Sequence, residues 1–131
     1  MSRMIFVNLP VADLAAATAF YRALGFEQNL EYSDDTASCI VVDDRIYVML
    51  LTDAKFREFI TGEISDPATT EVLTCLTVHT REEADDLVRR AIDAGGKPWK
   101  EPLRDGPMYA TTCQDLDGHV WEFLAMDHAG A

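Results

Sequence analysis

A carboxylate stands among apolar residues near the end of the chain: Glu122, in the run DLDGHVWEFL at residues 115–124. Its neighbours Val120, Trp121, Phe123 and Leu124 read as a half-buried strand. A carboxylate in that setting can pair with an arginine or a backbone N–H, meet a ligand as counter-ion or base, or help to hold a metal. Burial without a partner raises a carboxyl pKa and makes the group a proton donor or base. His119 lies three positions before it. On a strand those two side chains point to opposite faces and cannot share one ion without a bulge. Cys75 is a candidate nucleophile, but no histidine falls at a clear activating position. Tyr109, just after RDGP, is placed to reach the mouth of a cleft and donate a phenolic hydrogen bond. His79 falls where a strand gives way to a helix and His128 lies in the tail, so neither is set to converge on a metal.

The elements that must position these groups come in two copies. An apolar run at 4–11 is followed by Leu14, Ala17, Phe20, Tyr21 and Leu24 at helical spacing, with Asp13 to cap the helix and Gly25 to end it. A second apolar run at 72–78 is followed by Ala84, Leu87, Val88 and Ala91, with Thr80 and Glu83 as a capping box and Gly95 as the stop. The helices are expected at 13–24 and 80–94. DDRIYVMLLTD at 43–53 lies over DGHVWEFLAMD at 117–127, each a turn pair followed by a strand. Further strands are expected at 27–32, 37–42, 97–101 and 108–114. Val11 and Val78 are 67 positions apart, while Asp43 and Asp117 are 74 apart. Slightly longer connections in the second copy absorb the difference. Each copy reads strand–helix–strand–strand–strand.

These patterns predict an α+β fold: two tandem βαβββ modules whose curled mixed sheets enclose a cleft, with the helices outside. The first module spans 4–52 and the second 71–126. A linker at 53–70 holds a short helix candidate at 53–60, and the whole of 1–131 counts as one domain.

Composition narrows the function classes. The chain has 131 residues and is 48% hydrophobic, enough to bury a core. Its net charge is −12, from 23 acidic and 11 basic residues. Such a chain repels phosphate backbones, so nucleic acid is a poor partner. The same acidity serves solubility and also suits a cationic ligand. No apolar run is long enough to span a membrane, and the N-terminus does not resemble a signal peptide. Cys39, Cys75 and Cys113 are widely spaced, odd in number and free of any CxxC pattern. They read as reduced thiols, and the expected compartment is the cytoplasm.

NLPVADLAAATAFYRALGF resembles the V-x-D-x-x-x-x-x-F-Y-x-x-L-G-F opening of the vicinal oxygen chelate superfamily, and DLDGHVWEFL resembles its D-x-D-G-x-x-x-E close. That superfamily includes glyoxalase I, extradiol dioxygenases and bleomycin-resistance proteins. The chain also resembles a bacterial branch labelled predicted lactoylglutathione lyase. The resemblance implies four metal-ligand positions, one on the first and one on the last strand of each module. Mapped here, they are Phe6, Val48, Leu73 and Glu122. Three of these four side chains carry no donor for a divalent ion. No cofactor is therefore expected, and a divalent metal is disfavoured.

Strand alternation then places Phe6 with Asn8, Val48 with Ile46 and Leu50, Leu73 with Cys75 and Thr77, and Glu122 with Val120 and Leu124. The expected lining is Phe6, Asn8, Val48, Leu73, Cys75, Thr77, Tyr109 and Glu122, mostly apolar with few polar groups, as small-molecule sites are. Trp121 and Phe123 face away as core, and Tyr47 and Met49 read the same way. Two readings stay open. One is a metal-independent protein that binds a small molecule. The other is a metal-dependent glyoxalase-like lyase or isomerase, or a dioxygenase, with a non-standard site. The resemblance further implies a homodimer.

Overall fold

The computed structural model describes residues 2–126. It divides into two compact units between Asp66 and Pro67. The first unit runs β1 (Ile5–Val11), α1 (Leu14–Ala23), β2 (Glu27–Asn29), β3 (Ala37–Asp43), β4 (Ile46–Thr52) and α2 (Asp53–Phe59). Its sheet has the order β1-β4-β3-β2, with β1 parallel to β4 and the other pairs antiparallel. The second runs β5 (Leu73–Val78), α3 (Arg81–Asp93), β6 (Lys97–Pro98), β7 (Leu103–Asp105), β8 (Met108–Gln114) and β9 (Val120–Met126). Its order is β5-β9-β8-β6, with β7 also paired to β8 and β5 parallel to β9. The class is α+β, with two mixed sheets, and the two βαβββ patterns appear as expected.

Local chemistry starts and stops the helices where the sequence indicates. The Asp13 carboxylate accepts from the Ala16 N–H at 3.0 Å, and Gly25, at φ 104°, closes α1. At α3 the Thr80 hydroxyl accepts from the Glu83 N–H at 3.0 Å. The Glu83 carboxylate reaches back to the N–H of His79 at 2.9 Å, one residue earlier than in the usual box. Each helix lays its apolar stripe on its own sheet. Ala17, Phe20 and Tyr21 of α1 meet β3 and β4, and Ala84, Leu87 and Ala91 of α3 meet β8 and β9.

Two strands differ from expectation. The strand expected at 27–32 ends at Asn29, because the Asn29 side chain accepts from the Glu31 N–H at 3.0 Å and starts a 3-10 turn over Leu30–Tyr32. A local side-chain bond here outcompetes the ladder. The strand expected at 97–101 is only Lys97–Pro98, and β7 follows it as a separate short strand. Between them the Thr112 hydroxyl accepts from the Lys100 N–H at 3.0 Å and donates to the Lys100 carbonyl at 3.4 Å. That hydroxyl satisfies backbone groups that a ladder would otherwise pair.

A third difference changes the site. Phe6 pairs with Tyr47, so Val48 pairs with Val7 and lies on the opposite face of the first sheet from Phe6. Val48 is fully buried beneath α1, whereas Phe6 is 48% exposed. The cause is the turn before β4. Asp43 pairs with Ile46 across a two-residue turn beside a bulge at Val41/Asp43, whereas residues 115–119 separate Gln114 from its partner Val120. Aligning the two Asp turns therefore shifts the first copy by one residue, which reverses the face of every side chain.

The energetic consequence is measurable. Val48→Ala should cost about 2 kcal/mol, from lost burial and the cavity left behind. Phe6→Ala should cost less than roughly half of that, as an exposed position does. Urea denaturation of both variants reads the contrast, and a larger loss at Phe6 would contradict the register.

Candidate ligand face of the second sheet

The face of the second sheet away from α3 carries Leu73, Cys75 and Thr77 from β5, Val120, Glu122 and Leu124 from β9, and Ala110 and Thr112 from β8. Register places them together: Cys75 and Thr112 are both paired with Glu122, on its two sides. Trp121, Phe123 and Ala125 alternate to the other face and are buried there. Leu73, Cys75, Thr77 and Glu122 thus share one surface, as expected from strand parity.

The carboxylate is half-buried and the thiol beside it is exposed. Partial burial of the sulfur, then its hydrogen bond to Glu122, push the Cys75 thiol up to about 11. At neutral pH the thiol is protonated and donates to the carboxylate, so it is a poor nucleophile. Thr112 is buried, and its hydroxyl is committed to the Lys100 backbone. Among the described residues no lysine, arginine or histidine forms a salt bridge with Glu122. The arginine partner considered for it is not there.

Tyr109 does not join this surface. It pairs with Ala125, so it faces α3 and is 5% exposed. Its hydroxyl donates to Asp85 of α3 at 2.5 Å, and Arg81 and Arg104 lie 5.6 and 5.0 Å from its ring centroid. The hydrogen bond to Asp85 holds the phenol above its usual range. Tyr109 ties strand to helix and does not stand at a cleft mouth, because β8 alternation turns Ala110 and Thr112, not Tyr109, to the face away from α3.

In the first sheet, Phe6 and Asn8 share their face with Tyr47 and Met49. The Phe6 and Tyr47 rings stack at 4.8 Å and 13°. Tyr47 and Met49 are half-exposed there, not core as parity from Val48 implied. Tyr47, Met49, Thr112 and Ala110 were missed, and the two-residue turn before β4 was the signal that could have found the first pair. His128 lies outside the described residues.

Residues 3–33 match a family model described as bleomycin resistance protein-like N-terminal. A hypothetical protein from S. aureus, SA1046, is 32% identical over 95% of this chain and 94% of its own, with a TM-score of 0.81. The family-model match and the fold make the chain similar to the glyoxalase/bleomycin resistance proteins of the vicinal oxygen chelate superfamily. A glyoxalase/bleomycin resistance protein/dioxygenase family enzyme from Burkholderia phytofirmans is 21% identical over 95% of this chain and 99% of its own, with a TM-score of 0.80. A glyoxalase-related enzyme from Fulvimarina pelagi is 17% identical over 95% and 88%, with a TM-score of 0.78. These two likenesses are of fold. No curated protein matches significantly.

The superfamily resemblance implies a metal, and the residues present can be tested against one. Asn8 and Cys75 each lie three positions before the valine of their module, and they pair with Met49 and Glu122. Met49, not Val48, is therefore the counterpart of Glu122. The positions then hold Phe6 and Met49 in the first unit and Leu73 and Glu122 in the second. A thioether in place of valine adds only a soft, weak donor. Among the described residues no group of three or more His, Cys, Asp or Glu side chains could hold a metal ion. The donor set at these positions does not fit the superfamily's metal.

The thiol reports on the carboxylate. The folded Cys75 keeps its proton to about 11, against an ordinary 9.0, so over that window the folded state binds more protons and stability falls as pH rises. Glu122→Gln removes a charge that raises the thiol, so alkylation of Cys75 by iodoacetamide should begin at lower pH in the variant. Peptide mapping by mass spectrometry separates Cys75 from the buried Cys39 and Cys113. An unchanged profile would mean that the thiol and carboxylate are not bonded.

Proposed function

We propose that this chain binds a small molecule on the face of its second sheet away from α3, with Glu122 as the polar anchor and without the superfamily's usual metal. One observation carries the reading: a half-buried carboxylate stands among Leu73, Val120 and Leu124 with a protonated thiol beside it and no basic partner among the described residues. A carboxylate in that position attracts a cationic or strongly hydrogen-bond-donating group, and the net charge of −12 favours a cation. Aliphatic side chains around it supply the apolar contact area that small-molecule sites use.

A second reading is favoured by one fact. Glu122 occupies the position at which the superfamily places a metal ligand, so a glyoxalase-like lyase or isomerase, the activity named for the predicted lactoylglutathione lyase branch, remains the alternative. A dioxygenase would need two histidines and a carboxylate converging on iron. His79 and His119 are not grouped with Glu122 among the described residues.

Glu122→Gln separates the readings. Under the first, unfolding free energy should change by less than about 1 kcal/mol, because no buried cation is orphaned. Binding of organic cations such as phenethylammonium, followed by amide shifts on β5, β8 and β9, should weaken by roughly tenfold, the worth of one charge-assisted hydrogen bond. Purified wild type should carry no stoichiometric metal by mass spectrometry. A metal that is present in the wild type and lost in the Gln variant establishes the second reading instead.

We also propose a homodimer located in the cytoplasm. Ile5, Phe6, Leu30, Tyr32, Val72 and Leu73 are large apolar side chains left 44–75% exposed, which is costly for a lone chain. The cytoplasmic assignment rests on the free Cys39, Cys75 and Cys113. Among the described residues no helix is long and apolar enough to cross a membrane. Light scattering at tens of micromolar should give about 29 kDa, twice the 14.6 kDa chain mass. A single species at the chain mass rejects the dimer.

A further inference from the structure

A groove of about 480 Å³ opens on the other side of the first unit, between α1 and the segment leading into β3. This is the helix side of the sheet, away from the face that carries Phe6 and Tyr47. Leu14, Ala15, Thr18, Ala19 and Arg22 form one wall, all on one face of α1. Asp34 and Asp35 form the opposite lip, and Gln28 and Ser38 the floor.

The floor is rigid. Ser38 is 1% exposed, lies 2.9 Å from the Thr18 hydroxyl and accepts from Gln28 Nε2 at 3.1 Å. Thr18 has one hydroxyl hydrogen and donates it to the Leu14 carbonyl at 2.7 Å, so Ser38 must donate to Thr18. Ser38 can then only accept from Gln28, which fixes the amide nitrogen downward and leaves Gln28 Oε1 for another partner.

The lip is equally set. Asp34 Oδ1 accepts from the Thr36 N–H at 2.8 Å, the Thr36 hydroxyl at 2.9 Å and the Ala37 N–H at 2.9 Å. Those bonds hold the carboxyl below its usual range, with a smaller contribution from Lys55, which itself pairs with Glu58. All three donors fall on Oδ1, which leaves Oδ2 toward solvent. Arg22 lines the same groove and forms no ion pair among the described residues, with Asp34 and Asp35 included. A cation and two carboxylates therefore share one groove without neutralising each other.

We propose that this groove is a second binding site, for a short peptide zwitterion whose carboxylate meets Arg22 and whose ammonium meets Asp34 and Asp35. A simple anion would be repelled by the two aspartates and a simple cation would leave Arg22 unmatched, whereas a zwitterion satisfies both ends. Its amide N–H has Gln28 Oε1 as acceptor, and its side chain has Leu14, Ala15 and Ala19 to lie on. An extended dipeptide reaches roughly 7 Å, and the groove volume is within the range of small-ligand sites.

The test uses the full 15N-labelled chain and three probes: alanyl-leucine, its N-acetyl derivative and its C-terminal amide. Alanyl-leucine should shift the amides of Thr18, Arg22, Asp35 and Ser38 saturably, and each blocked form should bind at least about tenfold more weakly, the worth of one charged contact. Arg22→Gln should abolish the preference over the C-terminal amide, and Asp35→Asn should reduce the preference over the N-acetyl form. Free leucine, titrated alongside, tells a dipeptide site from one that takes a single amino acid. Both substitutions are at exposed positions, so the fold is retained and verified by the unchanged spectrum elsewhere. Absence of saturation at concentrations on the order of 10 mM, equal binding of blocked and free peptides, or shifts confined to the second sheet would overturn the proposal. The last outcome leaves the Glu122 site untouched, so the two assignments fail separately.

Discussion

Each sheet is covered by its long helix on one side only, and the period-two alternation of the strands decides what that leaves on the other. In β9 the alternation is strict. Trp121, Phe123 and Ala125 go under α3, and Val120, Glu122 and Leu124 go to the opposite face. The same rule puts Tyr109, Thr111 and Cys113 of β8 beneath the helix and Ala110 and Thr112 on the opposite face. The chemistry available to the second unit follows from that single choice of face. Slipping β9 by one residue would bury a carboxylate against Ala84 and expose an indole.

Glu122 is tolerable where it stands because it is not fully enclosed. A wholly buried carboxylate without a cation would cost several kcal/mol or take up a proton. On this face it keeps part of its hydration and gains the Cys75 S–H, a weak donor. The exchange is reciprocal. Burial first, and then the carboxylate, raise the thiol, and the protonated thiol gives the carboxylate one of its hydrogen bonds. Two reactive groups are thereby held in their less reactive partnership until something displaces one of them.

The helices, their caps and the duplication were legible because each rests on contacts a few residues apart: Asp13 to Ala16, Thr80 to Glu83, Gly25 and Gly95 at positive φ. Leu73, Cys75, Thr77 and Glu122 were legible too, since parity within one strand is local. What failed required knowledge of neighbouring strands. Val48 was assigned by matching two Asp turns whose lengths differ, and turn length sets register. Tyr109 was read from its place after a turn, while its direction depends on pairing with Ala125. The early end of β2 came from an Asn29 side chain that competes for the backbone, a bond invisible to strand propensity.

Once the register is corrected, the two units can be compared position by position. Phe6 beside Tyr47 corresponds to Leu73 beside Val120, and Asn8 beside Met49 corresponds to Cys75 beside Glu122. The backbone frame is the same in both, but the side chains have diverged in kind. The first unit presents stacked aromatic rings, an amide and a thioether. The second presents aliphatic groups, a thiol and a carboxylate. A hard divalent ion needs several oxygen or nitrogen donors, and a soft one needs thiolates. Neither an amide with a thioether in the first unit, nor a protonated thiol with one carboxylate in the second, makes an adequate set for either. In small-molecule sites generally, apolar contact supplies affinity and one or two polar atoms supply orientation. The fold therefore sets which residues share a face, and those residues, not the fold, decide what chemistry the face offers.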